Sequence, residues 1–136
     1  MARYISMVLT NPVPGREDTF NDWYTNIHIP DVLSIQGIIA ATRYRLLSQR
    51  GGAHAFGKHR YLAIYEIETD DLRGLFRTLV SRMGTAAMPM SDSMAPEPAF
   101  YDWEVLGPLR VAASRFDPAL PQVLARSLPQ PPEELS

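Results

Sequence analysis

Strand, helix, strand, strand, helix, strand is the order of elements readable in these 136 residues. That order predicts an α+β domain with a four-stranded antiparallel sheet and two helices on one face. Three observations support it. Apolar residues recur at helical spacing in two segments, Phe20, Trp23, Tyr24 and Ile27, then Leu72, Leu75, Phe76, Leu79, Val80 and Met83. Short runs rich in β-branched and aromatic residues precede, separate and follow them. The composition, 46% apolar and 21% charged, is that of a globular chain with room for one core.

The first strand is Arg3 to Leu9. Arg3, Ile5, Met7 and Leu9 point one way and Tyr4, Ser6 and Val8 the other, so both faces carry apolar groups. Asn11-Pro-Val-Pro-Gly15 ends it, because neither proline can donate to a ladder. A helix starts near Arg16, with Glu17 and Asp18 in the first turn, where the helix dipole favours acids. Pro30 lacks the N–H that would bond the carbonyl of Asn26, which predicts a kink or a restart running through Leu33.

Gly37 opens a second strand, Ile38 to Leu47. A small-residue loop, Ser48 to Gly57, leads to a third strand, His59 to Ile67. Thr69 or Asp70 is the expected cap of the second helix. The irregular segment Gly84 to Pro98 holds Met88, Met90 and Met94, either an adaptable lid or gap fillers. The fourth strand is Ala99 to Leu106, with Tyr101 and Trp103 on one face and Phe100 and Asp102 on the other. The resulting split β-α-β arrangement is ferredoxin-like. Both helices cover one side, so the apolar far side of the sheet predicts a homodimer that buries it.

The boundaries expected are one domain over residues 1–107 and a proline-rich tail over 108–136, with a helical turn near Val123 to Arg126. The tail holds six of the twelve prolines and no glycine, which favours extended chain. A formal charge of −2 without long charge runs argues against nucleic acid or a polybasic membrane contact. Absence of cysteine excludes thiolate nucleophiles, thiol-ligated zinc and iron–sulfur clusters. The apolar stretch at the N-terminus is too short for a signal peptide, no segment is long enough to span a membrane, and a cytoplasmic location is expected.

Asn21, Tyr24 and His28 form a polar stripe beside Phe20, Trp23 and Ile27, which puts His28 at the edge of a buried face. An imidazole there suits general acid–base work; the alternative is an interfacial histidine bonded to a backbone carbonyl. Tyr24 can hold a ring nitrogen or donate its hydroxyl, and Asp31 can orient the other nitrogen. Arg43 either points inward to fix a carboxylate or phenolate, or stays on a solvated edge. Tyr61, Tyr65, Tyr101 and Trp103 are flat walls for a ligand or plain core. His54 and His59 lack a third ligand, as does His28 with Asp31, so no metal is expected. No phosphate-binding glycine loop, nucleophile elbow or dinucleotide fingerprint is present.

Asn11-Pro-Val-Pro-Gly-Arg-Glu-Asp, Phe20-Asn-Asp-Trp-Tyr, His28-Ile-Pro-Asp-Val-Leu and Gly37-Ile-Ile-Ala-Ala-Thr-Arg-Tyr resemble the dimeric α/β-barrel superfamily, in particular its EthD-like branch. The resemblance covers roughly residues 3–106. It implies a pocket between sheet and helices, with His28 as acid or base and Asn11, Trp23 and Tyr24 around the cavity. Members include cofactor-free cyclases, isomerases, monooxygenases, haem-degrading enzymes and proteins without known activity, and fold does not choose among them. The expectation is a small cofactor-independent lyase, isomerase or cyclase acting on an aromatic or polyketide-like ligand. Catalysis falls to His28 and Tyr24, and ligand binding to Asn11, Trp23, Asp31 and Arg43. The alternatives are a non-catalytic dimeric binding protein and a haem-binding or monooxygenase member.

Overall fold

A computed structural model describes residues 1–51 and 57–113. Met1–Glu104 form one compact unit, and the chain from Val105 onward belongs to another. His54 and the helical turn expected at Val123 to Arg126 lie outside the described residues.

The strands are β1 (Ala2–Thr10), β2 (Ile38–Arg45), β3 (Tyr61–Thr69) and β4 (Ala99–Glu104). They form a single antiparallel sheet in the order β2-β3-β1-β4. That strand order, with a helical crossover between β1 and β2 and another between β3 and β4, is the ferredoxin-like fold. β2 ends two residues before the expected Leu47 and β4 two before Leu106, while β3 is displaced two residues toward the C-terminus.

Register assigns each face. β1 pairs Ser6 with Tyr65 and Asp102, and Val8 with Ala63 and Phe100. These residues share the helix-facing side, where Tyr61, Ala63, Tyr65 and Ile67 of β3 are all buried. Phe20, Trp23, Tyr24, Val32 and Leu75 pack on them from the helices, and Ile35 from the turn after α2. The far side presents Ile5, Met7, Leu62, Ile64, Tyr101 and Trp103. A bulge between Ile38 and Ala40 turns Ile39 outward.

The first crossover is helical in three pieces: α1 (Glu17–Trp23), a π-helical turn (Tyr24–His28) and α2 (Ile29–Leu33). Pro30 occupies the first turn of α2, where its missing N–H costs least. The expected restart is present, and the chain widens into a π turn ahead of it. The second helix, α3 (Leu72–Arg82), is capped by Asp71 instead of Thr69 or Asp70. Asp71 Oδ1 accepts from the Gly74 N–H at 2.9 Å, while Thr69 Oγ1 accepts from the Asp71 N–H at 3.1 Å. The acceptor three residues before an orphan helix N–H wins the cap. Met88 is fully buried in the core, and Met90 and Met94 pack against it. These three methionines are gap fillers.

Gly37 fixes the entry to β2. Its φ is +101°. Its carbonyl accepts from the Glu68 N–H at 2.8 Å, and a Cβ there would lie 2.7 Å from Leu75 Cδ1. Gly37→Ala is expected to destabilise the protein by about 1–3 kcal/mol, from a strained backbone and a displaced core leucine together. Urea unfolding at constant m-value measures the loss, and an unchanged midpoint would show that neither constraint operates.

Candidate functional site

An α-helix advances about 100° per residue, which would centre Ile27 on the buried face and leave His28 at its edge. In the structure Ile27 is 44% exposed and His28 only 8%. The π turn makes the exchange. The Ile29 N–H reaches the carbonyl of Tyr24, five residues back, so each residue of the turn advances by a smaller angle and His28 rotates inward. The expected apolar stripe therefore ends at Tyr24, and Ile27 is not part of it.

His28 is clamped by aromatic rings. Its imidazole stacks on Trp23 with centroids 4.8 Å apart, and meets Tyr24 edge-on at 5.0 Å. Trp23 is fixed in turn, its indole N–H donating to the Pro89 carbonyl at 3.1 Å. Nδ1 of His28 is buried and has no hydrogen-bond partner among the described residues. Neither a backbone carbonyl nor Asp31 takes that nitrogen.

His28 and Tyr24 line a cavity of about 410 Å³ between helices and sheet. Its walls are Val8, Val32, Ile38, Ile67, Phe76, Leu79, Val80, Met83 and Phe100, with polar groups from Ser6, Tyr65 and Asp102. The helices leave β4 uncovered, so Phe100, at 58% exposure, and Asp102 mark the open side. A wider depression of about 860 Å³ runs along the outside of α3, past Arg73 and Arg77. It shares Phe76 and Val80 with the cavity, and no histidine or carboxylate lines it.

Electrostatics follow from burial. Desolvation lowers the His28 pKa to about 4; Asp31 opposes the shift, and Arg43 adds to it. The ring is neutral at pH 7. Burial also raises the pKa of Tyr24 and of Tyr65, so both phenols keep their protons. The Tyr65 hydroxyl donates to the Tyr24 oxygen at 3.3 Å, which leaves the Tyr24 proton for another acceptor. Ser6 Oγ donates to Asp102 Oδ1 at 2.8 Å.

The six residues singled out from the sequence separate in space. His28 and Tyr24 are on the cavity wall, and Trp23 backs the imidazole. Asp31 acts on His28 through its charge, without a hydrogen bond to Nδ1. Asn11 instead closes a loop: its amide donates to the Lys58 carbonyl and its Oδ1 accepts from the Arg60 N–H. Arg43 points inward but not into the cavity. Its guanidinium lies 4.5 Å from the Tyr24 centroid and donates to Asn21 Oδ1 and Thr25 Oγ1, both at 2.9 Å, tying α1 and the π turn to β2.

Ser6 and Asp102 escaped sequence reasoning. The available signal was a polar residue at the centre of an otherwise apolar strand, on the register that faces the helices. Among the described residues no cluster of three metal-ligating side chains exists. None of the described helices is long and apolar enough to cross a membrane.

No protein-family model matches the chain, and no curated protein does. Solved structures do. HapK from Hahella chejuensis is similar at 18% identity and a TM-score of 0.47, over 82% of this chain and 99% of that one. An ethyl tert-butyl ether D (EthD) family protein from Bacillus halodurans is similar at 14% identity and 0.38, over 74% and 97%. A dimeric ferredoxin-like protein from an uncultured marine organism is similar at 8% identity and 0.45, over 80% and 100%. The chain has a ferredoxin-like fold. Its own strand order carries that statement.

The depressed His28 pKa has a consequence for stability. Between about 6.5 and about 4 the unfolded chain binds a proton that the folded chain refuses, so His28 lowers stability as pH falls through that window, by about 3 kcal/mol in full. His28→Asn is expected to remove this part of the slope, so the urea midpoints of the two proteins converge or cross on acidification. The His28 ring resonances should titrate near pH 4, lower in Asp31→Asn and higher in Arg43→Met. A midpoint near 6.5 would place the ring in solvent.

Proposed function

We propose that the cavity binds a small aromatic or polyketide-like molecule, and that His28 moves a proton on it without a cofactor, in a lyase, isomerase or cyclase type of reaction. One observation carries the reading: a neutral imidazole, clamped between Trp23 and Tyr24, on the wall of a largely apolar cavity. Titratable groups shifted by burial and set in a cleft cluster where proton transfer is carried out.

The chemistry follows from the protonation states. Neutral His28 is the form that accepts a proton from a carbon beside a carbonyl. The C–H bond breaks, its electron pair becomes an enolate, and the proton resides on the imidazole until it is returned to another carbon. Tyr24 remains protonated and donates to the enolate oxygen, backed by the Tyr65 hydroxyl. A pKa near 4 makes the imidazole a weak base in the empty cavity. The enolate formed beside it raises that basicity as the proton transfers. The same low pKa favours a second reading, a binding protein in which neutral His28 only hydrogen-bonds its ligand.

Hydrogen exchange separates the two. β-Tetralone, an enolisable bicyclic ketone of suitable shape, is expected to exchange its α-hydrogens in deuterium oxide faster with the protein than without. His28→Gln should lower the catalysed rate by about a hundredfold or more. Full activity in that variant removes His28 as the proton carrier, while binding without exchange leaves the binding protein.

We also propose a homodimer through the far side of the sheet. Ile5, Met7, Leu62 and Ile64 are half-buried there, and Trp103 is 49% exposed. An Arg3–Glu66 ion pair borders this apolar patch, and soluble monomers rarely leave a large patch of this kind in water. Sedimentation velocity at micromolar concentration should give twice the chain mass, and Trp103→Glu should give the monomer. A monomeric wild-type protein would rule the pairing out.

A further inference from the structure

We infer that the cavity selects by charge, seating a protonated amine or an uncharged hydroxyl at Asp102 and turning carboxylates away. The inference rests on the reading of this cavity as a ligand site, and adds the class of head group it takes.

Among the described residues lining the cavity, Asp102 is the one that carries a formal charge. The other titratable groups facing it are neutral at pH 7, since burial lowers the His28 pKa and raises those of Tyr24 and Tyr65. The nearby arginines do not line the cavity. Arg43 lies over the Tyr24 ring and is bonded to Asn21 and Thr25. Arg73 and Arg77 line the depression outside α3 and are not among the residues lining the cavity. A ligand carboxylate would therefore meet one negative charge and no positive one inside the cavity.

Asp102 is also built to receive a donor. Ser6 Oγ occupies Oδ1 and fixes the rotamer, leaving Oδ2 without a partner among the described residues, at the open side of the cavity. A charge-assisted bond from an ammonium or hydroxyl completes that oxygen. Phe100, two residues earlier on the same face, supplies a ring beside the head group, and aromatic faces attract cations. The apolar walls take the rest of the molecule, and His28 lies in the buried part. The ligand this arrangement fits is an apolar, ring-sized body bearing an amine or hydroxyl at one end.

Three probes of one shape test it: β-naphthylmethylamine, β-naphthylmethanol and β-naphthoate, titrated by calorimetry into the full-length protein at pH 7. The amine and the alcohol are expected to bind, with naphthoate at least tenfold weaker than the alcohol. Asp102→Asn keeps an acceptor for Ser6 and removes the charge. It should weaken the amine at least fivefold and bring naphthoate close to the alcohol, with an unchanged circular dichroism spectrum. None of the three probes has an enolisable hydrogen, so the binding ranking is read without proton transfer, which keeps this result separate from the exchange assay. Naphthoate binding as tightly as the alcohol, or a ranking unaltered in Asp102→Asn, would overturn the charge selection and leave the cavity a ligand site. Failure of all three probes at millimolar concentration would overturn both.

Discussion

A proline in the first turn of a helix removes one N–H, and the consequences here reach a histidine buried among aromatic rings. The helix cannot pass Pro30 with every carbonyl bonded in the α pattern. It widens over Tyr24–His28, and the Ile29 N–H closes on the carbonyl of Tyr24. That wider turn puts one more residue into the same rise and rotates the side chains beyond it. Ile27, which an α-helix would bury, goes to solvent, while His28 enters the core between Trp23 and Tyr24. An apolar side chain is exchanged for a polar one within the packing. The buried Nδ1 without a partner is the mark of that exchange, and the lowered pKa is its electrostatic expression. Stability alone does not favour the arrangement, since isoleucine would fill the space without leaving a polar atom unsatisfied.

Sequence periodicity is informative wherever the backbone keeps a regular period, and it fails where the period changes. All four strands and both helical segments were legible, because alternation of faces and the apolar stripe of α3 are global properties of each element. Their ends were not, since ladder pairing decides them: β2 stops at Arg45 and β3 runs to Thr69, where β1 still offers partners. The N-cap of α3 is a contest between neighbouring acceptors, settled for Asp71 by its distance from the Gly74 N–H. Proline chemistry announced a disturbance at Pro30 but not its form. A kink and a π turn both solve the missing bond, and only the second moves His28 inward.

The site was legible in the same uneven way. Tyr24 and His28 were found because they lie on one helix, where spacing reports proximity. Ser6 and Asp102 come from two strands 96 positions apart, and their hydrogen bond depends on a β1–β4 register that single-strand patterns do not contain. Arg43 shows the opposite error. An arginine on the inner face suggests an anion, yet its guanidinium finds the faces of Phe20, Tyr24 and Tyr61 and two acceptors on the first helix. Cation–π contacts and hydrogen bonds of this kind hold the charge within the fold, off the wall of the cavity.

Charge is thereby sorted to the two sides of Tyr24. The cation sits behind the ring, in the packing between helix and β2, and the carboxylate sits across the cavity on β4. Between them the phenols and the imidazole are all neutral, each held so by burial. This ordering favours chemistry in which charge appears only transiently. In the proposed reaction a proton taken by His28 would create an imidazolium and an enolate side by side, a pair whose attraction in an apolar cavity offsets the cost of forming either alone. A permanently anionic ligand would raise the His28 pKa before any reaction and repel Asp102 throughout. A neutral or cationic one leaves the imidazole unprotonated, in the form able to accept the proton.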